Sequence, residues 1–337
     1  MSEPADVDLA LLKAARQYPA IGPGDDDFHD EDLTDRWWET ETNWFSWNVP
    51  ERRMGGWAYC QARPNANVCN GGAWVWDDTA SYSWELPYHV HYQGLQLPPR
   101  SERDMRDFEW PNGVHITALE PLTKYRISYE DPGALEFDLH FEALMPPNPH
   151  PLGVAPFFKG RHFDQPGHLT GEMLLQGERI AVDCFSTRDR SWGPRPLGRP
   201  KRRGEGSAPL TRFGGIGYCF GAADASHAWL VYSNPGPDED RVSCGFLLRD
   251  GVYGHILAGE RHLRFDAQTG WPTHMELEAY DDLGRRLVVN GEAISRHWRG
   301  HGGDTLFHWS WDNLDGWGED QSYFTRPVWE ANKSRPK

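Results

Sequence analysis

Between residues 185 and 203 the chain reads FSTRDRSWGPRPLGRPKRR, so that Asp189, Arg190, Ser191, Trp192, Gly193 and Arg195 place an acid, an aromatic face and fixed positive charge within one turn. A carboxyl group beside a Trp wall has its pKa raised by desolvation and can act as a general acid, whereas adjacent guanidinium groups pull it down and keep it ionised. Both influences are written into this segment. The plainer alternative is an Asp–Arg pair that braces a loop. The basic run that follows, Arg199, Lys201, Arg202 and Arg203, reads as a solvated loop rather than an anion site.

Other polar clusters compete for a role. His89 and His91, in YHVHY, share one face of a strand, where two imidazoles hold a metal only if a third ligand arrives from elsewhere. No third ligand is visible, so no metal is expected. RHWRGHGGDTLFHWSWDNLDGWGED gathers His297, His301, His308, Trp309, Trp311, Asp312, Asp315 and Glu319. In a strand, His308 and Ser310 face one side and Trp309 and Trp311 the other, so only one set can line a cavity. A proton relay through His308 or Glu319 stands against ordinary hydrogen bonding at a barrel mouth. Gly214, Gly215 and Gly217 in RFGGIGYCF lack the spacing and following helix of a nucleotide loop, and Ser186 and Ser191 lack the GxSxG elbow of a hydrolase nucleophile.

The elements that must position these groups are strands. Residues 1–36 form an acidic arm in which Asp8 caps a short amphipathic helix carrying Leu9, Leu12 and Ala15, ended by Gly22-Pro23-Gly24 and three aspartates. From Trp37 onward short alternating runs recur between turn signals. In YRISYEDPGALEFDLHFEAL, Tyr125, Ile127 and Tyr129 share a face, Asp131-Pro132-Gly133 turns the chain, and Leu135, Phe137, Leu139 and Phe141 return. The prolines of MPPNPHPLGVAPFF deny regular pairing, which sets the expected domains at 37–160 and 161–337. In the second, HLTGEMLLQGERIAVDCF turns at Gln176-Gly177-Glu178, HAWLVYSN is a strand, and further turns fall at Thr269-Gly270 and Asp282-Leu283-Gly284. The fold expected is all-β, either two antiparallel barrels or one large sandwich of duplicated halves, with barrels preferred because closure removes exposed edges.

Composition narrows the function classes. At 337 residues the chain can bury a sizeable core. With 34 Lys+Arg against 50 Asp+Glu the net charge is -16, which disfavours nucleic acid and anionic membranes as partners. The opening MSEPADVDLALLKAAR is acidic where a secretory signal is basic, and no run of 18 apolar residues occurs, so a soluble cytoplasmic protein is expected. Five scattered cysteines without a CxxC pair signal neither disulfides nor structural zinc. The excess is aromatic: 17 Trp, 12 Tyr and 15 Phe suit the lining of a pocket for an apolar or cationic guest, although sheet packing also favours them.

The segment GHLTGEMLLQGERIAVDCFSTRDRSWGPR resembles the stretch containing the D-H-[NS]-W-G signature of the carotenoid 1,2-hydratase/AttH-like superfamily. That group includes hydroxyneurosporene synthases, kievitone hydratase-like proteins and fungal pericyclases. RHFDQPGHLTGEM is similar to the strand leading into the motif, TETNWFSWNVPERRMGGWAY to the aromatic first strands, and GWGEDQ at 316–321 to the closing strand, so the likeness spans about Trp37 to Trp329. It implies two tandem lipocalin-like barrels with an apolar cavity, and activities that add water to, remove it from, or isomerise hydrophobic molecules. Asp189, Trp192 and Gly193 match the motif and Ser191 fits its small polar place, but Arg190 stands where the motif has His, the side chain best suited to exchanging protons near neutral pH.

The leading expectation is therefore a cofactor-independent hydratase, dehydratase or isomerase for a hydrophobic isoprenoid, steroid or aromatic small molecule. Asp189 donates the proton, with Glu319 or a distant His such as His308 as base. Trp192 shields a developing carbocation, at roughly 0.5–2 kcal/mol for such a contact. Trp44, Trp47, Trp57 and Trp74 shape the site, with Trp309 and Trp311 as further candidates for substrate contact, while Arg190 and Arg195 orient Asp189 or a substrate oxygen. The alternative is a non-catalytic carrier of an apolar ligand, and a third reading is a metal-dependent barrel using His89 and His91. Neither substrate identity nor oligomeric state follows from the sequence.

Overall fold

The computed structural model describes residues 8–31, 34–157, 159–195, 215–234, 239–298, 303–324 and 333. The basic run at 199–203, His301 and Trp329 lie outside the described residues.

Alternation and turn chemistry build one meander from β1 (Glu39–Val49), β2 (Met54–Arg63), β3 (Val68–Trp76) and β4 (Tyr88–Gln96). A second comprises β5 (Asp107–Glu109), β6 (His115–Glu120), β7 (Lys124–Asp131) and β8 (Leu135–Ala143). The expected hairpin lies within it: Tyr125 pairs with Phe141, Ile127 with Leu139 and Tyr129 with Phe137, all of them buried. Its turn uses Gly133 at φ 81°, a conformation that only glycine adopts without steric cost.

Among the described residues, the two-residue strand β9 (Asn148–Pro149) is all that the proline-rich stretch adds to the sheet. After it, β10 (Arg161–Leu175) and β11 (Glu178–Pro194) form a long hairpin closed by Gln176 and Gly177, both at positive φ as a type I′ turn requires. β11 pairs with β1 and β10 with β8, so the hairpin joins the meanders into one eleven-stranded sheet, ordered β4-β3-β2-β1-β11-β10-β8-β7-β6-β5 with β9 on β10. Leu169, Met173, Ile180 and Val182 of the hairpin enter the same core as Phe45, Trp47, Phe137 and Phe141. The boundary expected at residue 160 is thus corrected. The prolines interrupt strand pairing but not the core, and the first sheet extends to Pro194.

The remaining strands are β12 (Gly215–Asp224), β13 (His227–Asn234), β14 (Asp240–Arg249), β15 (Val252–Phe265), β16 (Pro272–Asp281), β17 (Arg286–Trp298), β18 (Gly303–Trp311) and β19 (Leu314–Phe324). They close into an antiparallel barrel. HAWLVYSN is β13, and the turns expected after Phe265 and Asp281 separate β15, β16 and β17. The all-β expectation holds: one ring closes, and the other sheet curls as a half-barrel. The acidic arm is divided between the two units. α1 (Leu9–Ala15), capped by Asp8, hydrogen-bonds the barrel through Lys13 to the Asp282 carbonyl and Arg16 to the Ser243 carbonyl, whereas residues from Pro19 belong with the first sheet.

The barrel interior is filled by its own rings. Trp229, Phe307, Trp309 and Trp311 pack there with Met275 and Leu277. Gly291 leaves the space that the Trp309 ring occupies, since a Cβ there would overlap it. Gly291→Ala is expected to destabilise the barrel by about 1–3 kcal/mol through overpacking, read as a lower midpoint in denaturant unfolding.

Candidate functional site

β11 decides what faces what. Successive side chains alternate across a strand, so Arg188, Arg190 and Trp192 point into the curled sheet while Thr187, Asp189 and Ser191 point to its other face. The one-turn grouping of Asp189 with Arg190 and Trp192 is corrected accordingly. The segment is a strand, and neighbours in sequence face opposite ways.

On the inner face, apolar core gives way to buried ion pairs. Arg190 is 0% exposed and donates to Glu41 at 2.6 Å, to the Asp27 carbonyl at 2.8 Å and to the Thr42 carbonyl at 3.0 Å. His29 lies flat on Trp192 with ring centroids 4.1 Å apart. Beside them Arg188 donates to Asp26 at 3.0 Å and to Gln165 at 3.0 Å, under the Tyr125 ring at 4.0 Å. Burial opposes the Glu41 charge, but Arg190 and His29 outweigh it and hold the carboxyl below its ordinary range. Arg190 and Trp192 therefore lie buried on the face opposite Asp189. Trp47 is also inside, 4.9 Å from Phe137.

The outer face carries a different constellation. Pairing sets Trp44, Asp189 and Asp164 in one row across β1, β11 and β10, and Thr42, Ser191 and His162 in the next. His162 Nε2 lies 2.9 Å from Asp164 Oδ1, and both side chains are buried. Burial pushes the His162 imidazole down to about 4, partly opposed by the Asp189 charge, so it is neutral near pH 7. Burial also pushes the Asp189 carboxyl up to about 6; His162 pulls against it, Asp164 reinforces it, and Arg195 and Arg188 pull against it. Asp189 itself is half-buried and makes no hydrogen bond among the described residues. Ser191 Oγ lies 2.5 Å from Thr42 Oγ1 and accepts from Arg195 at 2.7 Å. Phe157 stacks on His162 at 4.2 Å, and the Arg195 guanidinium lies over the Phe157 ring at 5.2 Å.

Three of the four expected tryptophans extend this face. Trp44 meets Trp57 edge-on at 5.0 Å, and Trp57 meets Trp74 at 5.2 Å. His89 and His91 both lie against Trp74, at 5.7 and 5.6 Å. Among the described residues, the donor atoms that converge as a metal would need are those of Glu239, Glu260 and His262, and neither His89 nor His91 belongs to that group.

The remaining candidates belong to the barrel. Trp309 and Trp311 are core residues, while His308 faces outward beside Asp315 at 3.4 Å and lines an open hollow of about 380 Å³ with Arg264, His274 and Glu292. That division matches the alternation expected of the strand. Glu319 is buried and accepts from Gln321 at 3.3 Å. Sequence reasoning missed His162 and Asp164. Their signal was the i, i+2 spacing in RHFD, which puts both on one face of a strand.

A family described as a domain of unknown function (DUF7064) matches residues 22–319. No curated protein sequence matches the chain. Among solved structures, the AttH candidate NE1406 of Nitrosomonas europaea superposes with TM-score 0.60 at 13% identity, covering 91% of this chain and 97% of that one. Kievitone hydratase of Nectria haematococca gives 0.50 at 12%, covering 86% and 90%. CghA, also solved with Sch210972, gives 0.53 at 12%, covering 85% and 88%. At these identities the likeness is one of fold, the lipocalin-like β architecture expected from the central motif.

Proposed function

The chain belongs to the DUF7064 family, and on that footing we propose that it is a cofactor-independent hydratase, dehydratase or isomerase whose general acid is Asp189. The observation that carries this reading is one row of the sheet: a carboxyl group without a hydrogen bond among the described residues, between a tryptophan and a second carboxylate that holds a neutral histidine. Two nearby acids in unequal environments are the usual means of running acid and base chemistry at one pH. The fold shared with kievitone hydratase supports the same reaction class.

Protonated Asp189 delivers its proton to one carbon of a double bond. Positive charge then develops at the other carbon, facing the negative ring faces of Trp44, Trp57 and Trp74. Hydration follows when water adds there and passes a proton back to the Asp189 carboxylate, directly or through His162. Isomerisation follows when a neighbouring C–H instead gives its proton to the Asp189 carboxylate, its bonding electrons forming the shifted double bond. The ring-rich face suits a hydrophobic isoprenoid, steroid or aromatic substrate.

The reading is tested by identifying small molecules that co-purify with the protein and incubating them with it in heavy-oxygen water. Label incorporation supports hydration, and unchanged mass with altered retention supports isomerisation. Return of every compound unaltered indicates a carrier and removes the catalytic reading.

Asp164→Asn separates the two acids. Its charge raises the Asp189 pKa, so neutralising it moves that pKa below about 6. Activity that depends on protonated Asp189 then shifts its falling limb to lower pH in a kcat/KM profile. An unmoved limb would remove Asp164 from the site's electrostatics.

A further inference from the structure

The far end of β11 carries an unrelated arrangement. Asp189 lies eleven residues beyond Glu178, about 36 Å along an extended strand at about 3.3 Å per residue. At the Glu178 end, three connections converge: the β1–β2 turn, the β10–β11 turn and the long β3–β4 loop. They enclose a hollow of about 420 Å³ whose rim includes Arg52, Asp77, Thr79, Glu85, Gln176 and Glu178, with Met54, Leu175 and Ile180 beneath.

The β3–β4 loop holds two rings in water. Tyr82 is 46% and Trp84 78% exposed, and they stack on each other with centroids 5.0 Å apart and planes within 4°. The Glu85 amide donates to the Tyr82 carbonyl at 2.8 Å, so a single tight turn carries both rings and delivers Glu85 to the rim. One face of Trp84 is covered by Tyr82; the other has no ring partner among the described residues. The rings themselves do not line the hollow; they stand in solvent as a stacked pair next in the chain to Glu85, which does.

The polar groups specify the ligand. Arg52 is paired with Glu178 and Arg53 with Asp78. Asp77 accepts from Thr79 through Oδ1 only, and Glu85 makes no side-chain hydrogen bond among the described residues. The uncompensated rim groups are therefore hydrogen-bond acceptors of negative charge. They disfavour an anionic lipid surface, which basic flanks would attract. They suit hydroxyl donors on a neutral ligand that also presents an apolar face to an aromatic ring. We propose that this end of the sheet is a saccharide-binding subsite, with Trp84 as the stacking platform and Asp77 and Glu85 receiving sugar hydroxyls.

The test applies full-length protein to an array of neutral oligosaccharides, namely gluco-, xylo- and chito-oligomers, followed by calorimetric titration of those retained. At least one series is expected to bind, and Trp84→Ala to weaken it about tenfold or more, with Trp84→Phe recovering part of the loss. Glu85→Gln is expected to weaken the same series. Because Trp84 is a solvent-facing loop residue, unchanged thermal unfolding of the variants shows that folding is not the cause. No oligosaccharide bound by the wild type, or binding that survives Trp84→Ala, overturns the proposal. So does adsorption to phosphatidylcholine–phosphatidylglycerol vesicles that depends on Trp84 without any sugar binding.

Discussion

Asp189→Asn is expected to lower turnover by about 10²–10⁴-fold while leaving the fold intact, because the substitution keeps the side chain's size and removes only the transferable proton. The pH dependence gives a second readout. With its pKa pushed up to about 6, the carboxyl is protonated in a useful fraction near neutrality and loses its proton as pH rises further. Wild-type kcat/KM should therefore fall above about pH 6. Stability follows the same group. Its folded-state pKa lies above its unfolded value, so the native state favours the protonated form. That contribution is fully present below about pH 4 and is lost as pH rises through about 6. Thermal unfolding of the Asn variant, measured across this window, should lack that loss. Full turnover in Asp189→Asn would remove Asp189 from the mechanism.

Arg190→Leu should produce the opposite pattern. Arg190 is buried on the inner face, where it neutralises Glu41 and ties down the Asp27 carbonyl of the arm. Its removal leaves the buried Glu41 carboxylate with His29 as its remaining partner and without the guanidinium, at a cost of about 3–5 kcal/mol in chemical unfolding. Turnover per folded molecule should change far less than in Asp189→Asn, since the side chain points away from the acid. Glu41→Leu added to Arg190→Leu should recover most of the lost stability, because replacing both members of a buried pair by apolar groups leaves no orphaned charge. Acid has a related effect. Glu41 has a lowered folded-state pKa, so its stabilising contribution is present above its unfolded pKa and disappears as pH falls through the folded value. A loss of turnover in folded Arg190→Leu as large as that of Asp189→Asn would return Arg190 to the chemistry.

These two residues also show where local sequence carries structural information and where it does not. The β7–β8 hairpin is readable because its apolar residues alternate without exception and its turn contains Pro132-Gly133. The polar end of β11 is harder. Ser186, Arg188 and Arg190 occupy inward positions, so polarity there no longer distinguishes the two faces, and only the strand period separates Asp189 from Arg190. The boundary at 160 fails for a different reason. Proline density reports a break in local pairing, whereas the pairings of β11 with β1 and β10 with β8 join segments far apart in sequence. The aromatic excess announces clusters of rings, yet it does not tell Trp47 in the core from Trp44, Trp57 and Trp74 on the Asp189 face. That assignment needs the register of β1 against β11.

The most direct measurement is a carbon-13 NMR titration of the Asp189 carboxyl in the intact protein, assigned by comparison with Asp189→Asn. A midpoint about two pH units above an ordinary aspartate, near 6, is expected. A midpoint at or below the ordinary value of about 4 would mean that the carboxyl is ionised throughout the neutral range, and it would contradict Asp189 as the proton donor.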